Sequence, residues 1–240
     1  MKKRIWICLL LMLLCLTTAC KNNDVTPTET EELTIPGETL PLDDLQILVP
    51  TETIETTSEP EKNEALAVLE CGTYNGIFVE DGLDQQVEQV PCLLIQNTTD
   101  AYIDYGVVNA TIGETSCTFV VTGLPGGSAA WVLEQNGQRI ASMETYTYIG
   151  QTVSQPIDCT VDDRIDVQFS NGEIRMTNCS DSSFAEVRVY YKLLHSDGNY
   201  LGGITYTTKA EGLEPGQTAT LTAGHSSESG CVLVRVDCTE

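Results

Sequence analysis

From about Ala67 onward, short apolar stretches alternate with turns rich in Gly, Asn, Asp and Ser, and no stretch sustains helical periodicity. Val187, Val189, Tyr191 and Leu193 fall on one face of a strand, with Arg188, Tyr190 and Lys192 between them. A period of two predicts one buried face and one wetter face. Ser196-Asp197-Gly198-Asn199 then supplies a hairpin turn, because Asp-Gly accepts positive φ, and Tyr200 to Lys209 returns as the partner strand. The pattern predicts an all-β fold. Residues 21–66 read differently. Thr, Glu and Pro dominate and aromatic residues are absent, so the segment buries too little apolar area to offset chain entropy. It reads as a disordered acidic tether, stiffened by like charges and Pro. One run interrupts it, Leu45-Gln46-Ile47-Leu48-Val49-Pro50, which reads either as a strand docking on the folded part or as an apolar patch within the tether.

A repeat organises the folded part. Cys92-Leu93-Leu94-Ile95-Gln96-Asn97-Thr98-Thr99-Asp100 matches Glu173-Ile174-Arg175-Met176-Thr177-Asn178-Cys179-Ser180-Asp181. In each, a strand enters an Asn-led polar turn, and Ile103 and Phe184 stand at the same distance after the Asn. Both copies continue to a Gly-Leu pair and a Gly-rich turn, Gly123-Leu124-Pro125-Gly126-Gly127-Ser128 and Gly212-Leu213-Glu214-Pro215-Gly216-Gln217. Each turn feeds another strand, near Ala129–Glu134 and Thr218–Ala223. The second copy is longer between these landmarks, and the Asp197-Gly198 hairpin accounts for the excess. The expectation is two tandem β-sandwich modules, 67–156 and 157–240, with one larger sandwich as the alternative.

The N-terminus has a different character. Lys2, Lys3 and Arg4 precede an uncharged apolar run from Ile5 to Leu16, and small residues then lead to Cys20. This is the layout of a secretory signal, and the apolar core is shorter than the roughly 20 residues a membrane span needs. Leu16-Thr17-Thr18-Ala19-Cys20 resembles the lipobox of bacterial lipoproteins, with Thr17 where the usual Leu stands and Leu16 one place earlier. The resemblance implies removal of residues 1–19 as a signal peptide and acylation of Cys20. Residues 20–66 then form the lipidated linker. The implied address is the extracellular face of the cell membrane, with the membrane itself as partner through the lipid. Two acyl chains give stable anchoring where one is marginal.

The second copy, over roughly residues 173 to 223, resembles the bacterial extracellular modules called FxLYD domains. The shared features are the Asn turn, the alternating strand, the Asp-Gly hairpin and the Leu-x-Pro-Gly turn. Tyr191-Lys192-Leu193-Leu194-His195 stands where Phe-x-Leu-Tyr-Asp belongs. The resemblance implies an Ig-like sandwich and carries over no catalytic residue.

Charge narrows the partners. With 35 acidic and 12 basic residues the formal net charge is −23, which argues against nucleic acid, since phosphate binding needs clustered Lys and Arg. Cys8 and Cys15 leave with the signal, so Cys71, Cys92, Cys117, Cys159, Cys179, Cys231 and Cys238 remain. Outside the membrane such cysteines ordinarily pair, but seven cannot all pair within one monomer. Disulfides, buried thiols and a metal site are the competing readings, and no Cys-x-x-Cys pair supports the metal. The favoured expectation is two or three disulfides and at least one free thiol, with Cys179 as the free one because it follows the Asn178 turn.

Catalytic candidates are few. His195 and His225 are the two histidines, each in a turn or loop, and nothing in the sequence fixes them into a triad. Asp81-Gly82-Leu83-Asp84 and Asp158 with Asp162-Asp163 are calcium candidates outside any EF-hand pattern. Tyr146, Tyr148 and Trp131 are the aromatic candidates for sugar contact, though aromatics at strand positions are more often core. The sequence therefore predicts no cofactor and no enzyme. It predicts an anchored interaction or spacer module with an envelope protein or glycan as partner. Carbohydrate or calcium binding is the alternative, with a small hydrolase after it.

Overall fold

The computed structural model describes residues 46–48, 64–81, 83, 85–141, 145–157, 159, 161–170, 172–222 and 230–240. The described elements are all strands: β1 (Gln46–Leu48), β2 (Leu66–Ile77), β3 (Gln86–Asn97), β4 (Ile103–Ile112), β5 (Thr115–Leu124), β6 (Ala129–Leu133), β7 (Tyr146–Val153), β8 (Ile165–Ser170), β9 (Glu173–Asn178), β10 (Phe184–Leu194), β11 (Tyr200–Leu213), β12 (Thr218–Thr222) and β13 (Cys231–Thr239). The chain is all-β, as its pattern predicts. The tether segment 46–48 docks as a short strand, pairing antiparallel with β2 through Ile47 opposite Tyr74. The rest of the tether, the signal segment and Cys20 lie outside the described residues.

The strands form a seven-stranded sheet, β1-β2-β3-β6-β11-β10-β13, and two three-stranded sheets, β5-β4-β7 and β12-β9-β8. The two halves of the chain use their strands in the same way. β2-β3-β6 corresponds to β8-β9-β12, and β5-β4-β7 corresponds to β11-β10-β13. The long sheet arises because edge β6 of the first half pairs with edge β11 of the second, in parallel, through Tyr200 opposite Ala130 and Leu201 opposite Trp131. The described residues of both halves accordingly fall in one compact unit. The expected boundary near residue 157 is itself bonded back: Ile157 N donates to Tyr102 O at 2.9 Å and Tyr102 N to Ile157 O at 3.0 Å.

The repeat is reproduced bond for bond. Asn97 Nδ2 donates to Ala101 O at 2.8 Å and Leu124 O at 2.9 Å, and Asn178 Nδ2 donates to Ser182 O at 2.8 Å and Leu213 O at 3.0 Å. Asn97 Oδ1 accepts from Thr99 N and Oγ1, as Asn178 Oδ1 does from Ser180 N and Oγ. Both amides are fully buried, and each completes backbone groups that no strand reaches. The Asn-to-Leu bond closes 35 residues in the second half against 27 in the first, eight more. The excess lies in hairpin β10–β11, where Gly198 takes φ +90° in the predicted turn.

Three cores follow from this layout. Leu66, Leu93, Ile95, Val108, Phe119 and Val132 fill the first half, and Ile174, Met176, Phe184, Val187, Val189 and Val236 fill the second. The third core, with Tyr74, Val90, Cys92, Leu94, Trp131, Leu133, Leu193 and Leu201, lies on the other face of the long sheet. β3 is therefore buried on both faces from Val90 to Ile95. That accounts for its unbroken apolar run.

Candidate functional site at the seam between the halves

The densest polar cluster sits where hairpin β10–β11 meets the first half. Tyr191 pairs with Tyr206 and Leu193 with Leu201, so four residues of β11, Gly202 to Thr205, bulge opposite Lys192 alone. The bulge leaves backbone groups without ladder partners, and side chains supply them. Glu80 Oε1 accepts from Gly203 N at 2.8 Å, and Oε2 accepts from Gly203 N at 2.9 Å and Ile204 N at 3.2 Å. Oε1 also accepts from Leu133 N at 2.8 Å, at the end of β6. Lys192 Nζ donates to Gly203 O at 2.9 Å and Ile204 O at 3.0 Å. Thr205 N donates to Thr122 Oγ1 at 2.7 Å, and Thr205 Oγ1 donates to Thr122 O at 2.6 Å.

Lys192 was expected on the wetter face of its strand; it is fully buried. The alternation fails here because the hairpin tip is covered by the first half on the side that would otherwise face water. Burial pushes the Lys192 amine down, against the opposing pull of Glu80. Glu80 is half-buried as a residue, but its carboxylate is enclosed. Burial raises its pKa, and the three backbone donors and Lys192 resist that rise. The two charges have complementary tasks, one serving N–H groups and the other C=O groups of the same two residues.

Close approach requires small residues at this crossing. A Cβ on Gly202, whose φ is +84°, would lie 2.9 Å from Val79 Cγ2, and one on Gly203 would overlap the Val120 carbonyl. Beyond the bulge, Tyr206 OH donates to Val79 O at 2.8 Å. At the hairpin tip, Trp131 Nε1 donates to Asp197 Oδ2 at 2.8 Å, and Asn199 N donates to Asp197 Oδ1 at 2.9 Å. Burial pushes the Asp197 carboxyl up. The bonds from Trp131 and Asn199 and the nearby His195 outweigh it, leaving the group well below the usual carboxylate range. His195 Nδ1 lies 2.9 Å from Asp197 Oδ1 but lacks hydrogen-bond alignment there.

The residues singled out from the sequence scatter around this seam. Trp131 and Tyr146 are core, each 3% exposed, and Tyr148 donates its hydroxyl to Glu64 at 2.7 Å. The aromatic candidates for sugar contact are therefore turned inward. Asp162 is held by Arg164 at 2.7 Å, so its charge is already matched. Arg164 donation holds the Asp162 carboxyl low, at about 2. Asp81 Oδ1 accepts from Leu83 N within its turn. Gly82, Asp84, Asp158 and His225 lie outside the described residues. Among the described residues no group of three or more His, Cys, Asp or Glu could hold a metal ion.

None of the seven cysteines is in a disulfide. Cys71 and Cys92 lie on paired strands one register step apart, so they face opposite sides of the sheet. Cys71 borders the first core and Cys92 lies in the third. Cys231 and Cys238 are seven apart on one strand, yet both border the second core, because a bulge at Val234 restores the face. Burial pushes the thiols of Cys71 and Cys238 up to about 12 and that of Cys117 to about 11. Cys159 is also raised by burial. Cys179 is exposed, after the Asn178 turn.

Glu80 and Lys192 were not picked out from the sequence. Their signals were faint: a Lys between Tyr191 and Leu193 in an apolar strand, and a Gly202-Gly203 pair inside another strand, which marks a close approach. No protein-family model matches the chain, and no curated protein matches it.

Proposed function

We propose that the chain is a membrane-anchored extracellular lipoprotein whose ectodomain is a non-enzymatic interaction or spacer module of the cell envelope. The anchor reading rests on Lys2 to Cys20, where a positive segment, an apolar run and a lipobox-like end follow in order. The observation that carries the non-enzymatic reading is the use of the buried charges. Burial pushes the Glu80 carboxyl up and the Lys192 amine down, and a perturbed pair ordinarily marks a site of chemistry. Both are engaged by the backbone of β11. That is how a structural joint uses charge. The halves are read as Ig-like sandwiches on the equivalence of their sheets, in line with the motif resemblance of residues 173–223.

Two measurements test this. Acyl-chain labelling of the wild type should be lost in Cys20→Ser; labelling that persists overturns the anchor. A screen of the mature chain against ester, peptide and glycoside substrates should give no turnover dependent on His195. Turnover abolished by His195→Ala in a folded protein overturns the non-enzymatic reading.

A further inference from the structure

Six strands end a sheet among the described residues: β1 and β13, β5 and β7, β12 and β8. An open strand edge pairs with other chains unless something prevents it. Five of the six are obstructed. β1 is three residues long, and the β2 edge beyond it is bulged at Leu69 and capped at Leu66 by Gln151, through bonds of 3.0 and 2.9 Å. β13 is bulged at Val234 and carries Arg235 and Asp237. β5 is covered, since Thr205 bonds Thr122 and Gln135 N donates to Thr118 O. β7 is bulged at Ile149, and β8 carries Asp166. β12 has no bulge, charge or Pro and stays in register with β9 along its five residues.

The free groups of β12 follow from that register. Asn178 N donates to Gln217 O at 3.0 Å, and Asn178 O accepts from Gly216 N at 2.9 Å. Alternate residues of β9 before it, Met176 and Ile174, therefore also turn toward β12. Their partners Ala219 and Leu221 face β9, so Thr218, Thr220 and Thr222 turn their N–H and C=O groups outward. Among the described residues nothing bonds these groups. In the first half β6 holds the same place, and there the groups are met. Trp131, at the position of Thr220, pairs with β11, and Leu133 N, at the position of Thr222, donates to Glu80 at 2.8 Å. The architecture thus accepts a strand beside this position.

We propose that β12 pairs with β12 of a second copy of the chain, antiparallel about a twofold axis at Thr220. This gives the interaction module of the preceding subsection a partner; it rests on that reading for its role, while the pairing itself needs no anchor. The register sets Thr220 opposite Thr220 and Thr218 opposite Thr222, so every outward N–H meets an outward C=O. The side chains match as well. Thr meets Thr on the exposed face, and Ala219 meets Leu221 where both, half-buried, border the second core. A chain of net charge −23 repels its own copy, and β12 brings no charge to the contact.

The test uses the full mature chain with Cys20→Ser, in about 0.15 M salt, where the Debye length of about 8 Å screens self-repulsion. Sedimentation across a concentration series and amide exchange along β12 are measured. The expected result is a concentration-dependent dimer. Exchange at Thr218, Thr220 and Thr222 slows about tenfold once about nine-tenths of the chain is paired. Exchange at Ala219 and Leu221, already bonded to β9, does not change. Thr220→Pro deletes an outward donor without touching the β9 ladder, a place where an edge strand tolerates Pro, and should weaken the dimer about tenfold or more. Thr220→Val should keep it. Protection of the Val187 and Val189 amides on β10 reports that the Pro variant is folded; should it unfold, the exchange pattern of the unsubstituted chain decides alone. A chain that stays monomeric up to about 1 mM overturns the proposal and leaves the edge to a foreign strand. A dimer whose outward Thr amides do not slow, or one that folded Thr220→Pro leaves intact, is joined elsewhere and overturns it equally. Absence of acyl labelling at Cys20 in cells would remove the anchor while leaving these measurements standing.

Discussion

Replacing Lys192 with Met keeps the length of a fully buried side chain and deletes its ammonium. Two carbonyls, Gly203 O and Ile204 O, lose their donor, and Glu80 loses its counter-charge. An orphaned buried polar group costs about 1–3 kcal/mol. Removing one partner of a buried charge pair costs about 3–5 kcal/mol. These overlap, so the expected loss for Lys192→Met is about 3–5 kcal/mol. Adding Glu80→Gln to Lys192→Met should cost less than the two singles together, with a coupling of about 1–3 kcal/mol. Urea unfolding of the mature chain with Cys20→Ser measures this. Because the pair closes the bulge that joins the halves, Lys192→Met should also separate their unfolding, seen as a lower slope or a second transition. A shift below about 1 kcal/mol with an unchanged slope would show that the bulge does not need the amine.

Other consequences can be measured directly. Asn97→Ala and Asn178→Ala each remove two donated bonds to enclosed carbonyls, and each should cost about 2–4 kcal/mol in the same unfolding assay. Gly203→Ala drives a methyl into the Val120 carbonyl and should abolish the native seam, whereas Gly113→Ala meets no atom within 4 Å and should cost only about 1 kcal/mol for its φ of +60°. Thiol labelling of the native chain should modify Cys179 first and leave Cys92 and Cys117 until unfolding. Full labelling of all seven after unfolding without reductant would establish that no disulfide forms, and incomplete labelling that some do. Asp162 is depressed to about 2 by Arg164, so its contribution is present above pH 4 and lost as pH falls toward 2. Carboxyl titration by NMR should show this low midpoint in the wild type and its return toward the ordinary value in Arg164→Met.

The strand pattern was legible because period two reports which face is buried, and Val187, Val189, Tyr191 and Leu193 are all enclosed. The Asn turns were legible because the same bonds need the same residues at fixed offsets in both copies. The docking of Ile47 was half visible in an apolar run within a polar tether. What the pattern could not convey was the second burial surface. Lys192 is enclosed beside Glu80, far back in the chain, and Trp131 bonds Asp197, 66 positions on, and periodicity within one strand is blind to such partners. Glu80 was hidden for a related reason. Its acceptors' partners are the N–H groups of a bulge, and a bulge leaves little trace in side-chain identity.

The seam also has a direction. Asn97 N bonds Ser128 O as Asn178 N bonds Gln217 O, so β6 and β12 begin at corresponding positions. On the first half, the outward strip that receives the hairpin is Cys92, Leu94, Trp131 and Leu133. The corresponding positions on the second half are Glu173, Arg175, Thr220 and Thr222, all exposed. The first half is thus an acceptor without a long hairpin, and the second is a donor whose own acceptor strip is polar. A hairpin tip of the β10–β11 kind would find no apolar strip on the second half. Such polar ends close repeat arrays elsewhere. Where one half presents a hairpin seat, the other presents Glu173, Arg175, Thr220 and Thr222 to water.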